Sequence, residues 1–276
     1  MLDPRRAKEI TTIVSGGISG RGPSVLCDDA LWSGAVELIR AAGSVAVVTG
    51  FFVPSAGAAE TDGPAGSVAL VNALANYGLK TEIWTDFRCA GAVAACAEAA
   101  GYPGTLVRNV SEIIDEVPLP DLLIYVERLG RSVSGAYYDM RGNDISAFTS
   151  PLDEFAIRGG SAVIGIGDGG NEVGMGNFTD SLARIMPDYA ECLCTVGADI
   201  AIPADVSNWG AYGVVAALSI NAAAWLGHSE GDEIRMAEAL FDAGAVDGVR
   251  KIQSASVDGF DLPKQLEILN ALRGLL

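Results

Sequence analysis

The sequence is poorest in histidine and in positive charge. His228 is the one histidine among 276 residues, which excludes a histidine-rich metal centre and makes imidazole acid–base catalysis a poor candidate. Lysine and arginine total 18 against 35 aspartates and glutamates, only four of the basic residues are lysines, and the net charge is −17. A chain this acidic is not made to follow a nucleic-acid backbone or an anionic membrane. Five cysteines, Cys27, Cys89, Cys96, Cys192 and Cys194, are odd in number and lack CxxC spacing. Neither a disulfide framework nor a zinc knuckle is supported, and buried free thiols are expected. No apolar run approaches the length of a membrane span, and the opening MLDPRRAKEITTIV lacks the apolar core of a signal peptide. The expectation is a soluble, cytoplasmic protein whose proton chemistry falls to carboxylates.

Half of the residues are hydrophobic, enough to bury a sizeable core. Apolar strands are predicted at Val45–Thr49, Lys80–Thr85, Asp121–Glu127, Ala162–Ile166 and Ala198–Pro203. Between them the period changes to that of helices, at Asp28–Ala42, from Gly66, at Cys89–Ala100 and at Tyr212–Leu226. Helices over Glu230–Ala243 and from Leu262 follow, and a short one begins at Asp3 with Pro4 in its first turn. The alternation predicts an α/β fold, a mainly parallel sheet flanked by helices. It reads as a single domain over 1–276, with two lobes, 1–148 and 149–276, as the alternative division near Ser146–Pro151.

The stretch SAVIGIGDGGNEVGMGN, Ser161 to Asn177, organises the rest. Six glycines between Gly165 and Gly176 weaken any element they occupy unless backbone must come close to something. Asp168, Asn171 and Glu172 offer oxygen ligands within five positions. A helix starting after Gly170 would put Asp168 and Glu172 on one side, a hard-cation site suited to magnesium or manganese, with free amides for an anion. A plain glycine-rich turn with solvated acids is the competing reading.

Other strand ends carry polar groups as well, where open α/β folds place their ligands. Arg21 stands between glycines in SGGISGRGP, positioned for a carboxylate or phosphate or else solvated. Glu60 and Asp62 follow the first strand as metal ligands, a general base, or helix-capping acids. The 127–144 loop gathers Glu127, Arg128, Arg131, Tyr137, Tyr138, Asp139, Arg141 and Asp144, a mixture suited to a small anion or else an irregular surface loop. Asp205, Ser207, Asn208 and Trp209 sit at another strand end in ADVSNWGAYG.

Five sets of residues in order resemble the D-glutamate cyclase family: TGFFVP with ETDGP, VERLGR with GAYYDMRGNDIS, GIGDGGNEVGMG, SNWGAYG, and the repeated VDG at Val246–Gly248 and Val257–Gly259. The match covers nearly the whole chain, and larger members carry this module as a C-terminal domain. The resemblance implies a lyase of D-amino acid metabolism that interconverts D-glutamate and 5-oxo-D-proline with loss or gain of water and no ATP. On that reading Asp168 and Glu172, with Glu60 or Asp62, hold magnesium or manganese. Arg21 or an arginine of the 128–141 loop takes the α-carboxylate, and Asn171, Asn208 and Tyr137 complete the substrate contacts. The partner is then a small anionic substrate, and the oligomeric state, homo-oligomer included, stays open.

GDGGNEVGM is also similar to the fourth motif of haloacid-dehalogenase-type phosphatases. That similarity keeps a divalent-metal-dependent phosphatase as the alternative, against which stands the lack of a strand followed by a DxDx(T/V) nucleophile motif. A non-catalytic amino-acid-binding protein explains the glycines and arginines but not the acids.

Overall fold

A computed structural model describes residues 2–276. The chain runs α1 (Pro4–Val14), α2 (Ala30–Ala41), β1 (Ser44–Thr49), a short hairpin of β2 (Phe52–Val53) and β3 (Ala58–Ala59), α3 (Pro64–Asn76), β4 (Lys80–Thr85), α4 (Ala90–Ala99), β5 (Val107–Asn109) and β6 (Leu122–Val126). It continues with α5 (Glu154–Arg158), β7 (Ala162–Gly167), α6 (Thr179–Ile185), β8 (Ile200–Pro203), α7 (Ser207–Ala222), α8 (Glu230–Asp242), a second hairpin of β9 (Ser256–Val257) and β10 (Phe260–Asp261), and α9 (Leu262–Arg273). Six strands form one parallel sheet in the order β5-β4-β1-β6-β7-β8. The α/β expectation is met, and every predicted strand lies in this sheet.

Strand periodicity divides the core. Val45, Val47, Leu122, Ile124, Ile164 and Ile166 face one side and join Trp32, Leu70, Trp209 and Val214 from the helices. Their neighbours Ala46, Val48, Leu123, Tyr125 and Val163 face the other side and join Phe155, Met175 and Leu182. Burial on both faces is why these strands read as continuous apolar runs rather than alternating ones. Of the cysteines, Cys89, Cys96 and Cys194 are buried free thiols as expected, whereas Cys27 and Cys192 are partly exposed.

Two local expectations are corrected. The helix expected at Tyr212–Leu226 starts earlier, at Ser207, because Asp62 accepts from the amides of Ser207 at 2.9 Å and Asn208 at 2.9 Å and so caps it from another loop. Its side chains are buried continuously from Ser207 to Ser219, which erases the one-sided pattern that marks a helix boundary. The helix expected after Gly170 does not form, and the next regular helix is α6. Instead this segment pairs with the chain after β6, Val173 N donating to Arg128 O at 2.9 Å and Gly130 N to Asn171 O at 3.0 Å. It folds so tightly onto β7 that a Cβ at Gly165 would lie 2.3 Å from the Val173 carbonyl oxygen, a backbone approach only glycine permits.

From β1 the chain builds outward through β4 to β5, and through β6 and β7 to β8 on the other side. The carboxyl ends of β1 and β6 therefore flank the topological switch point, where doubly wound sheets bind ligands.

Candidate functional site

Acidic side chains converge at that switch point from loops far apart in sequence. Glu60 and Asp62 follow the β2–β3 hairpin that extends from β1, Glu127 comes directly after β6, Asp168 and Glu172 follow β7, and Asp258 sits in the turn of the β9–β10 hairpin. All six are buried. The oxygens of Asp62, Asp168 and Asp258 lie within 4.8 Å of one another, as do those of Glu127, Asp168 and Glu172. Arg21 compensates part of this charge, with Nη1 2.6 Å from Asp168 and Nη2 2.7 Å from Asp258.

The backbone is bent to assemble this group. Among the described residues four non-glycines have positive φ, and three of them, Glu127 at 47°, Lys251 at 56° and Asp258 at 54°, belong to this site. Such conformations cost free energy and persist where the surroundings enforce them, which is a mark of functional sites. Asp258 and Gly259, both left-handed, form the two-residue turn that Asp-Gly favours in a hairpin. At Gly248 an added Cβ would fall 1.5 Å from Glu60 Oε1, so the C-terminal loop closes directly over that carboxylate.

A cavity of about 300 Å³ opens onto these groups. Its deep wall carries Arg21, Glu60, Glu127 and Asp168, its apolar wall includes Phe51 and Val53, and Arg141 and Lys251 also line it.

Burial pushes five of these carboxyl groups, those of Glu60, Asp62, Glu127, Asp168 and Glu172, toward their neutral forms. Asp62 rises from 3.8 to about 8, first by burial and then by the charge of Asp258, against the amides of Asn208 and Ser207 that pull it back. Burial likewise raises Glu60 and Glu127, the latter helped by the charges of Glu172 and Asp62. Asp168 is raised by burial against the opposing pull of Arg21. Glu172 is raised by burial although three amides, those of Asp168, Gly169 and Gly170, donate to it at 3.2, 2.7 and 2.8 Å. Carboxyls this close share protons instead of all ionising, so the site contains both proton donors and proton acceptors.

The sequence-derived candidates separate. Arg21, Glu60, Asp62, Asp168, Glu172 and Arg141 are brought to the site or its cavity. Asn208 supports it, its Oδ1 accepting from Gly63 N at 3.0 Å and Gly66 N at 2.7 Å. Asn171 donates to the Tyr138 carbonyl at 2.8 Å. The amides expected to hold an anion at the glycine turn are taken by Glu172. Arg128 is enclosed, its Nη1 2.6 Å from both Asp86 and the Gly50 carbonyl oxygen. Arg131 and Tyr137 both turn to Asp153, at 2.8 and 2.6 Å, so these three polar groups are not brought to the cavity. Sequence reasoning named Glu127 and Ser207 only as polar groups at strand ends, without a role, and passed over Lys251 and Asp258. Ser207 Oγ donates to Glu127 Oε2 at 2.6 Å, and the second VDG carried the signal for Asp258.

The donor set suits a hard divalent cation. Asp168 Oδ2 and Asp258 Oδ2 are buried without a hydrogen-bond partner among the described residues, and oxygen-only ligands are what magnesium or manganese prefers. Glu172, with both oxygens held by amides, is less free to contribute than Asp258.

Among the described residues no helix is long and apolar enough to cross a membrane. A solved structure of an exopolyphosphatase-related protein from Bacteroides fragilis has a TM-score of 0.46 at 8% identity, covering 91% of this chain and 58% of that one, a likeness too remote to bear on chemistry. The human protein named D-glutamate cyclase, mitochondrial, is 30% identical over 241 residues, 78% of this chain. The chain spans 39% of that relative's length. A family model described as D-glutamate cyclase-like, C-terminal, matches residues 10–273. The match takes in every strand of the sheet and every acid of the switch-point cluster, and the chain belongs to the D-glutamate cyclase-like, C-terminal family.

Proposed function

We propose that the protein is a hydro-lyase that interconverts D-glutamate and 5-oxo-D-proline. The observation that carries this reading is the convergence of buried, proton-sharing carboxyls on one small cavity at the switch point. Ring closure forms a bond between the α-nitrogen and the γ-carboxyl carbon, removes a proton from nitrogen, and expels the γ-hydroxyl with a proton as water. It needs a base at the nitrogen and an acid at the departing oxygen, held where the folded substrate brings the two together. Glu127 and Asp168 reach the cavity beside Glu60, and pairs of interacting carboxyls divide acid and base duties in this way. Ser207 fixes the orientation of Glu127.

A magnesium or manganese ion would be held chiefly by Asp168 and Asp258, with Asp62, whose two oxygens also accept backbone amides, beside them. When bound it would supply Lewis-acid polarisation of a carboxyl oxygen. The same triad supports a second reading, a divalent-metal-dependent phosphatase acting on small phosphate esters.

The deciding experiment incubates purified protein with 5-oxo-D-proline, its L-enantiomer and simple phosphate esters, with and without manganese or magnesium, and follows products by chiral chromatography and phosphate release. D-glutamate from the D-lactam, with the L-lactam much slower, is the expected result. Phosphate release with no interconversion of either enantiomer would replace the cyclase reading by the phosphatase one.

A further inference from the structure

The cavity has an electrical direction. Its deep residues Glu60, Glu127 and Asp168 are buried, whereas Lys251 is half-buried and Arg141 is exposed. Arg21, the one deep cation lining the cavity among the described residues, is already spent on Asp168 and Asp258. Arg141 and Lys251 pair with no carboxylate among the described residues, and Lys251 Nζ has only the Ser55 hydroxyl at 3.2 Å. Asp139 also lies at the mouth, but it is turned onto its own loop, accepting from the amides of Arg141 at 2.9 Å and Asn143 at 3.0 Å.

The loop that presents Lys251 is held in one shape. Asp247 accepts from Val249 N, Arg250 N, the Ser256 hydroxyl and Gly259 N, at 2.9, 2.8, 2.6 and 2.8 Å. Lys251 itself takes the left-handed conformation, with its amide on the Asp247 carbonyl at 2.6 Å. A flexible surface lysine does not need such a scaffold, and one that meets a ligand does.

We infer that the cavity takes a zwitterionic amino acid ammonium end first, with the nitrogen among Glu60, Glu127 and Asp168 and the α-carboxylate at the mouth against Lys251, assisted by Arg141. An anion entering carboxylate first would meet a cluster of acids, while this orientation sets the ammonium against carboxyl oxygens that share fewer protons than sites and the α-carboxylate against two cations. It also puts the nitrogen and the γ-carboxyl of glutamate together at the proton-sharing groups. The inference deepens the cyclase reading and rests on it for the ligand's identity, not for its polarity.

Calorimetric titration tests it with D-glutamate, with glutarate, which lacks the amine, and with 4-aminobutyrate, which lacks the α-carboxylate. Binding to wild type, Lys251→Ala, Lys251→Glu and Arg141→Ala is compared, after a melting curve shows each variant folded. Glutarate should bind at least about tenfold more weakly than D-glutamate. Lys251→Ala should weaken D-glutamate about tenfold and Lys251→Glu about a hundredfold, while leaving 4-aminobutyrate nearly unchanged. Alanine keeps the same left-handed cost at 251, so a loss there reports the ammonium and not the loop. Glutarate binding as tightly as D-glutamate, or equal loss of D-glutamate and 4-aminobutyrate on charge reversal, would overturn the inference. The titration is repeated with other α-amino acids to separate the two readings. Lys251-dependent binding without lactam turnover would sink the cyclase reading and uphold the orientation, and no binding of any amino acid would overturn the orientation.

Discussion

Arg21 holds Asp258, Nη2 of the one lying 2.7 Å from Oδ1 of the other, with the side chains 20% and 2% exposed. The same guanidinium reaches Asp168, so this arginine is a counter-ion built into the acidic group. Removing it leaves buried carboxylates uncompensated, and Arg21→Ala should lower stability by about 3 kcal/mol. Urea titration checks this. Arg21→Lys should recover only part of the loss because one ammonium cannot span two carboxylates in the way a fork does. An unchanged midpoint in the alanine variant would show the pairing to be idle.

Stability should fall as pH rises through the neutral range. Asp62 is raised from 3.8 to about 8, and Glu60, Glu127, Asp168 and Glu172 shift in the same direction. Between those values the folded protein holds more protons than the unfolded chain, so each unit of pH increase costs stability. The contribution is complete below about 3.8 and gone above about 8. Melting temperatures in divalent-free buffer across that range should decline toward the alkaline end, and a flat or rising profile would contradict the shared-proton picture.

Glu127→Gln keeps the shape of the side chain and removes its titration. On the cyclase reading it should lower kcat by about a hundredfold or more with little change in KM. Ser207→Ala should produce a smaller loss, because it frees Glu127 from its 2.6 Å hydrogen bond without removing the acid. Steady-state kinetics on 5-oxo-D-proline distinguishes the two. An active Glu127→Gln enzyme would remove Glu127 from the proton chemistry.

Manganese binding should depend on Asp258 more than on Glu172. Asp258 Oδ2 has no partner among the described residues, while both oxygens of Glu172 are occupied by amides. Calorimetry should therefore show Asp258→Asn weakening the ion by about tenfold or more, with Glu172→Gln acting mainly on stability. The reverse order would move the ion to the sequence-derived pair.

Arg128 and Asp86 form an enclosed ion pair at 2.6 Å, and neither lines the cavity. Arg128→Met should cost about 3–5 kcal/mol by stranding the aspartate, with KM of the surviving folded fraction unchanged. A raised KM at normal stability would return Arg128 to ligand binding.

The sheet was legible in the sequence because β-branched and aliphatic runs such as Val45–Thr49 and Leu122–Val126 are buried on both faces and contrast with the loops around them. The start of α7 was not, since its cap, Asp62, comes from another loop and its first turns are buried all round. Within the site, Asp168 and Asp62 stood out because they follow apolar runs and adjoin glycines. Glu127 was read as one more charge in a polar loop, for its left-handed backbone leaves no trace in residue type. Arg128, Arg131 and Tyr137 looked like ligand contacts because composition does not reveal that Asp86 and Asp153 await them. Lys251 was missed for the opposite reason, as its loop is ordered by Asp247 from within.

The C-terminal loop that closes over Glu60 also sets the order in which the molecule becomes competent during its own synthesis. The last strand of the sheet ends at Pro203, well before Gly248, Lys251 and Asp258. When the last residue of the sheet has been synthesised, Asp62, Glu127 and Asp168 are all present, while Arg21 still has only one of its two partners. The cavity lacks the side that Gly248, Val249 and Lys251 supply until that segment arrives. A chain ending between α7 and Gly248 lacks both the Gly248–Lys251 wall of the cavity and the second partner of Arg21.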